Sequence, residues 1–120
     1  MVQIHPGPHM NDLSKKHCVP CEGNVPPLSP TDSDALLAEL ASRWCIHQNK
    51  LTADFTFSDF KKAMTFVNKI AEIAEQENHH PDIAVFYNRV TLTIYTHAIK
   101  GLSENDFILA AKIESYCQRL

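Results

Sequence analysis

Two adjacent histidines, His79 and His80, are the residues best suited to acid/base chemistry near neutral pH. An imidazole gains or loses a proton close to neutrality, so a histidine pair at a chain corner is a candidate for proton transfer. Glu75 precedes the pair, and Pro81 and Asp82 follow it, which gathers carboxylates and imidazoles at one turn. Histidines are also ordinary turn residues, so these positions alone leave a structural interpretation equally open.

A third histidine, His97, and a further carboxylate, Asp106, follow downstream. Alternation in the strand pattern before His97 directs its side chain away from the apolar face, at a strand end where site residues commonly gather. Asp106 lies three residues after Ser103, which is the spacing of a capping box at a helix start. For Asp106 alone, the structural interpretation is therefore favoured.

The composition indicates one small domain. A chain of 120 residues is long enough for one core and too short for two domains of ordinary size. The net charge is -3 and no stripe of Lys or Arg occurs, which argues against nucleic acid or an anionic membrane as partner. No window approaches the roughly 18 apolar residues of a membrane span, and no secretory signal is visible. We expect a soluble, cytoplasmic protein that acts on a small molecule.

The four cysteines do not predict a disulfide framework. Cys45 and Cys117 lie in apolar patterns, where a reduced cysteine behaves as a small hydrophobe. Cys18 and Cys21 form a C-x-x-C after His17, which resembles a zinc or redox motif. However, the motif lies in a loop-like stretch, and two thiolates and one imidazole leave zinc one ligand short. We expect a flexible or loosely docked tail here.

The chain divides into an irregular arm over residues 1–30 and a domain over residues 31–120. The arm holds six of the seven prolines and shows no sustained periodicity, so we expect it to be dispensable for chemistry. Its stretch 7–10 has the composition of a cloning remnant.

Apolar spacing in the domain predicts the order helix, two strands, helix, two strands, helix. Thr31 or Ser33 caps a first helix that ends near Arg43. Ser58 caps a second helix, and Ser103 caps the third. The apolar stripe predicted for the second helix consists of Phe60, Ala63, Met64, Val67, Ile70, Ala71 and Ala74.

Two hairpins separate the helices. Strands over 45–48 and 51–57 flank a turn at Asn49-Lys50, and strands over 83–87 and 90–97 flank a turn at Asn88-Arg89.

The second helix should end at residues 76–78, because Pro81 disfavours helix in the residue before it. His79 then lies at the negative end of the helix dipole, with Glu75 four residues earlier. Both features favour a protonated His79, which suits a general acid.

These elements, with Glu75-x-x-x-His79-His80-Pro81, Tyr87, His97 and Asp106, resemble the pterin-4a-carbinolamine dehydratases of bacterial type. The resemblance covers about residues 31–118 and includes the stretches 51–60, 78–82 and 101–106. It implies an α+β fold in which a four-stranded antiparallel sheet carries three helices on one face, in the order αββαββα. It also implies a homodimer or homotetramer.

The resemblance further implies a hydro-lyase that dehydrates a 4a-hydroxytetrahydropterin to quinonoid dihydropterin, with no metal and no cofactor. This reaction recycles tetrahydrobiopterin for aromatic amino acid hydroxylases such as phenylalanine hydroxylase. The catalytic residues implied are His79, His80, His97 and Asp106. The pterin-binding residues implied are His80, Glu75 and Asp82.

The side chains fit that chemistry. Dehydration requires protonation of a leaving hydroxide and removal of a proton from a ring nitrogen, and two imidazoles in opposite protonation states can do both. We assign His79 as the acid and His97 as its complement, with the two roles exchangeable, and His80 as a pterin-binding group. Two positions depart from relatives: Ile83 replaces a frequent Trp, and Ala98 replaces an acid of animal members.

Two other functions remain open. His79, His80 and His97 with a carboxylate would make a metal site, although adjacent histidines on an extended segment tend to point apart. Animal members of the family that the chain resembles also bind a transcription factor as coactivators, which makes a protein-interaction module the second alternative.

Overall fold

The structure, a computed structural model, describes residues 13–19 and 26–118. The α+β class and the order αββαββα are as predicted. The elements are α1 (Pro30–Leu37), β1 (Cys45–His47), β2 (Lys50–Thr56), α2 (Phe60–Glu77), β3 (Asp82–Phe86), β4 (Arg89–Ile94), a 3-10 turn (His97–Ile99) and α3 (Glu104–Cys117). No helix in the described part of the chain is both long enough and apolar enough to cross a membrane.

The four strands form one antiparallel sheet in the order β1-β2-β4-β3. Alternate residues of the two central strands, β2 and β4, are buried, as period-2 alternation requires of a half-buried sheet. α2 and α3 pack together over this apolar face. The buried strand residues are Leu51, Ala53, Phe55, Val90, Leu92 and Ile94.

α2 is amphipathic, but its buried stripe is rotated relative to the prediction. Phe66 and Ile73 are buried and were not predicted, whereas Ala71 is exposed and Phe60 is 50% exposed. Phe60 is the first residue of the helix, and the side chains spaced three and four apart from Ala63 set the face that meets the sheet.

The predicted N-caps of the first two helices were each displaced. Ser29, rather than Thr31 or Ser33, caps α1, since Pro30 occupies the first helical position. Asp59, rather than Ser58, caps α2 and accepts a hydrogen bond from the backbone N–H of Lys62 at 2.8 Å.

α1 ends at Leu37 and not near Arg43. Residues 38–44 run in turns, yet Leu40 and Trp44 are still buried. The indole N–H of Trp44 donates to the buried carboxylate of Glu114 at 2.9 Å, so tertiary packing overrides the helical spacing here.

Both hairpin turns begin one residue before the predicted positions, at Gln48-Asn49 and Tyr87-Asn88. Gln48 and Asn49 have positive φ angles of 53° and 61°, the conformation that two-residue hairpins favour. β4 is shorter than predicted and ends at Ile94.

Cys45 is exposed, which contradicts its assignment to an apolar pattern. β1 is an edge strand, and only its middle residue, Ile46, is partly buried against the core.

The described part of the arm packs on the domain. Leu13 belongs to the hydrophobic core, and Lys16 forms an ion pair with Glu104 at 2.7 Å. Cys21 and the stretch 7–10 lie outside the described residues.

Asn78 is predicted to control the end of α2, where the chain turns toward the histidine pair. Its φ and ψ of 51° and 41° are left-handed, a conformation that costs a residue with a Cβ about 1–2 kcal/mol and glycine almost nothing. We expect Asn78→Ala to lower the free energy of unfolding by about 1 kcal/mol and Asn78→Gly to stay close to wild type. Chemical denaturation measures both. Equal losses for the two variants would contradict the capping role.

Candidate active site

A cleft of about 760 Å³ lies between the end of α2 and the end of β4, and His79, His80 and His97 all line it. This volume falls within the range of small-molecule sites. Thus the three histidines, which are separated by up to 18 positions in the sequence, meet at one surface. Tyr95 and Ala98 also line the cleft.

His79 forms a short hydrogen bond with Asp106. Its Nε2 lies 2.6 Å from Oδ1 of Asp106, whose side chain is fully buried (0% exposed). A carboxylate only accepts hydrogen bonds, so the ring donates through Nε2. Nδ1 of His79 has no hydrogen-bond partner among the described residues. The pair has the arrangement by which a carboxylate holds an imidazole in one tautomer for proton transfer.

The second oxygen of Asp106 caps α3. Oδ2 accepts from the backbone N–H of Ser103 at 2.8 Å and from the hydroxyl of Thr96 at 3.0 Å. Both sequence interpretations of Asp106 are therefore compatible, because each uses a different oxygen. Asp106 does not line the cleft, and its contact with the cleft lining at Oδ1 is through His79.

Glu75 pairs with His80 and not with His79. Oε2 of Glu75 lies 2.7 Å from Nε2 of His80, and both side chains are largely exposed. The predicted spacing of four residues to His79 applies only inside a helix, and the left-handed Asn78 ends α2 before His79. His79 is thereby turned toward Asp106 and His80 toward Glu75.

His97 packs against an aromatic ring, tilted relative to its own, that the sequence analysis did not assign to the site. The ring centroids of Tyr95 and His97 are 4.2 Å apart, and Nζ of Lys50 lies 4.4 Å from the Tyr95 centroid. The alternation of β4 already placed Tyr95 on the same side as His97, and this was the available signal. His97 itself lies in the 3-10 turn after the strand.

Asp82, an implied pterin-binding residue, and Tyr87, a residue of the family motif, lie outside the cleft lining. Asp82 is exposed on β3, and Tyr87 is 69% exposed at the hairpin turn. Neither they nor Glu75 are among the described residues that line the cleft. The part of the chain that the structure describes contains no group of three or more His, Cys, Asp or Glu side chains arranged for a metal ion.

Glu77 was missed by the sequence analysis. It is buried at the cleft, where burial disfavours its charge, but hydrogen bonds from the Cys18 backbone and from His17, with Lys112 nearby, outweigh that effect and lower its pKa. The sequence signal was weak, since glutamates near helix ends are usually solvated.

Cys18 also lines the cleft, as a neutral thiol. Burial, followed by the charge of Glu77, raises the pKa of Cys18 to about 12. A thiolate is the form that binds metal or attacks a disulfide, so this environment disfavours both of the roles that the C-x-x-C motif suggested.

Cys18 should resist alkylation in the folded protein. At pH 8 we expect iodoacetamide to modify the exposed Cys45 readily and Cys18 at least about 10-fold more slowly, because only the thiolate reacts. Peptide mass spectrometry after timed quenching measures both sites, and labelling in denaturant is the control. Equal rates in the folded protein would contradict the assigned environment.

Comparison with known proteins places the chain in a family. The model of the pterin 4 alpha carbinolamine dehydratase family matches residues 26–116. A relative from Rickettsia canadensis that carries this family name is 52% identical over 107 residues, covering 88% of this chain and 98% of that one. A second, from Rubrobacter xylanophilus, is 42% identical over 105 residues, with the same coverage.

A solved structure gives the same result. The crystal structure of a transcriptional coactivator/pterin dehydratase from Brucella melitensis superposes with a TM-score of 0.70 at 32% sequence identity, covering 74% of this chain and 96% of that chain. The fold, the matched residues 26–116 and the identities together show that this chain belongs to the pterin 4 alpha carbinolamine dehydratase family.

Proposed function

We propose that the protein dehydrates 4a-hydroxytetrahydropterins to quinonoid dihydropterins by histidine acid/base catalysis. Family membership supports the reaction. The observation that carries the catalytic assignment is the 2.6 Å contact between His79 and the buried Asp106, in a cleft that His80 and His97 also line.

The reaction requires two proton transfers and no covalent intermediate. The bond from C4a to the hydroxyl oxygen breaks as the oxygen takes a proton and leaves as water. A ring nitrogen loses a proton, and its electron pair forms the double bond to C4a. One imidazole gives the first proton and another takes the second, so the net charge of the enzyme is unchanged, and proton exchange with water then restores the starting protonation state of each imidazole.

His79 is the proposed acid. Asp106 accepts from Nε2, which leaves Nδ1 to carry the proton that moves to the substrate. The buried carboxylate also stabilises the positive charge of an imidazolium during the transfer. The carboxylate beside His79 is therefore Asp106, and not Glu75 as the sequence analysis predicted.

His97 is the proposed complement, and His80 the proposed pterin-binding group. The Tyr95 ring lies against the His97 ring, 4.2 Å between centroids, and thereby restricts the movement of His97 at the cleft that both residues line. Glu75 orients His80 at the more exposed end of the site. Asp82 lies on strand β3, outside the cleft lining, and its proposed role is limited to a contact with the outer part of the bound pterin.

The proposed setting is tetrahydrobiopterin recycling in the cytoplasm, linked to phenylalanine hydroxylase, by a homodimer or homotetramer. A second candidate function is interaction with a transcription regulator, because the Brucella melitensis neighbour is described as a coactivator as well as a dehydratase. A complex formed by a variant without dehydratase activity would favour that candidate.

A coupled assay tests the proposed reaction. Added to a phenylalanine hydroxylase reaction, the protein should accelerate decay of the 4a-hydroxypterin absorbance above its spontaneous rate in water. Decay at the spontaneous rate, with saturating folded protein, would contradict the proposed function.

Loss of proton transfer at His79 or His97 should lower kcat more than it changes KM. His79→Gln is preferable to alanine because an amide can still donate to the buried Asp106, which alanine would leave with an unpaired oxygen. We expect each of His79→Gln and His97→Gln to lower kcat by about 10²- to 10⁴-fold, scored above the spontaneous reaction. His80→Ala should mainly raise KM. Wild-type turnover in a folded variant lacking both His79 and His97 would contradict the mechanism.

The charge of Asp106 should affect catalysis separately from stability. Asp106→Asn keeps an acceptor for the helix cap, but it removes the charge beside His79, and we expect kcat to fall by at least about 10²-fold, as amide substitution of such a carboxylate does in serine proteases. Glu114→Gln is the matched control, because Glu114 is a buried carboxylate of the same helix that pairs with Arg43 and Trp44, away from the cleft lining.

Both variants should lose stability, and only Asp106→Asn should lose turnover. If kcat falls equally in the two at temperatures where both are folded, Asp106 has only a structural role.

A further inference from the structure

Cys18 and Val19 line the same cleft as the three histidines, although both precede the part of the chain that the family model matches. We propose that Cys18–Val19 forms a substrate-contacting wall of the active site, held in place by Glu77 and Asn105, and that this wall contributes to the affinity for the pterin ring. The proposal rests on the proposed dehydratase function and adds a contact surface to it.

Asn105 holds the main chain of Val19 by two hydrogen bonds. Its Oδ1 accepts from the N–H of Val19 at 3.0 Å, and its Nδ2 donates to the carbonyl of Val19 at 2.6 Å. Asn105 is itself buried, so a two-point contact of this kind is well shielded from competing water. The side chain of Val19 takes no part in it.

Glu77 holds the preceding residues. Oε1 accepts from the backbone N–H of Cys18 at 2.8 Å, and Oε2 lies 3.0 Å from Nδ1 of His17 and 3.6 Å from Nζ of Lys112. Lys112 also donates to the carbonyl of Ser14 at 2.7 Å. Side chains of α2 and α3 therefore fix this stretch at successive points, which is more than a loosely docked tail requires.

The exposed surface of the wall differs from the rest of the site. Val19 is 66% exposed, which leaves a branched apolar side chain open at the cleft, and the Cys18 thiol is neutral. The histidines supply the polar groups. An uncharged pterin ring system presents apolar faces and polar edges, so an apolar wall beside polar groups fits its two kinds of surface.

Similarity to a relative extends into this region. Only four residues follow residue 116, so an alignment that covers 88% of the chain with the Rickettsia canadensis relative must include part of the sequence before residue 26.

A substrate-contacting role for Cys18–Val19 replaces the expectation, drawn from the sequence, that the arm is dispensable. Deleting the arm is a poor test because Leu13 belongs to the core.

Point variants in the full chain test the wall. Val19→Ala removes apolar surface without touching the main-chain contacts, and Asn105→Ala releases the segment. We expect KM for the 4a-hydroxypterin to rise about 3- to 10-fold in the first and about 10-fold or more in the second, with kcat within about 2-fold of wild type. The dissociation constant of 7,8-dihydrobiopterin, measured by calorimetry, should rise in parallel.

Two controls match these changes. Val85→Ala removes the same two methyl groups from β3, and Asn88→Ala removes an amide that donates to the carbonyl of Phe57 at 3.0 Å, both away from the cleft lining. Neither should alter KM. Wild-type KM in both Val19→Ala and Asn105→Ala, a loss confined to kcat, or an equal rise in the controls would overturn the proposal. Failure of the proposed dehydratase function can be told apart from failure of the wall proposal. In that case the wild-type protein itself would not accelerate the decay of the 4a-hydroxypterin absorbance.

Discussion

The buried carboxylate of Asp106 is the interaction on which the site depends. A fully buried carboxylate is costly unless its oxygens are paired. Here one oxygen is bound by the start of α3 and by Thr96 in the segment after β4, while the other is bound by His79. One side chain thereby joins the segment after α2, the segment after β4 and the start of α3. Any change that separates these segments leaves the carboxylate without partners.

The ends of α2 and β4 complete the geometry. The left-handed Asn78 stops α2 and turns consecutive histidines toward different carboxylates, so His79 is held inside and His80 remains at the surface. On the other side, β4 ends at Ile94, and the bridge between Thr96 and Gly101 closes the loop that carries His97. Gly101 fits there because an added Cβ would lie 2.8 Å from Cβ of Pro27.

The element order and the core strands could be predicted from the sequence because alternation of apolar residues is a local pattern. The three histidines predicted as a group line one cleft, and their catalytic role stays a prediction. It failed where partners lie far apart in the chain. The pairing of Glu75 was wrong because its prediction assumed a helix that a single left-handed residue ends. Glu77 and Asn105 gave no local signal, since their burial depends on an arm about 60 and 86 positions away. Which face of α2 is buried could not be predicted from the helix sequence alone, because the position of the sheet that the helix covers decides it.

Nitrogen NMR of His79 in the free protein tests the central claim most directly. With uniformly ¹⁵N-labelled protein and assignment by His79→Gln, the chemical shifts report which ring nitrogen carries the proton at each pH. Because Asp106 accepts from Nε2, the account predicts that the neutral ring of His79 carries its proton on Nε2 and none on Nδ1, and that Asp106→Asn weakens this preference. A neutral His79 protonated on Nδ1 in the wild-type protein would contradict the account.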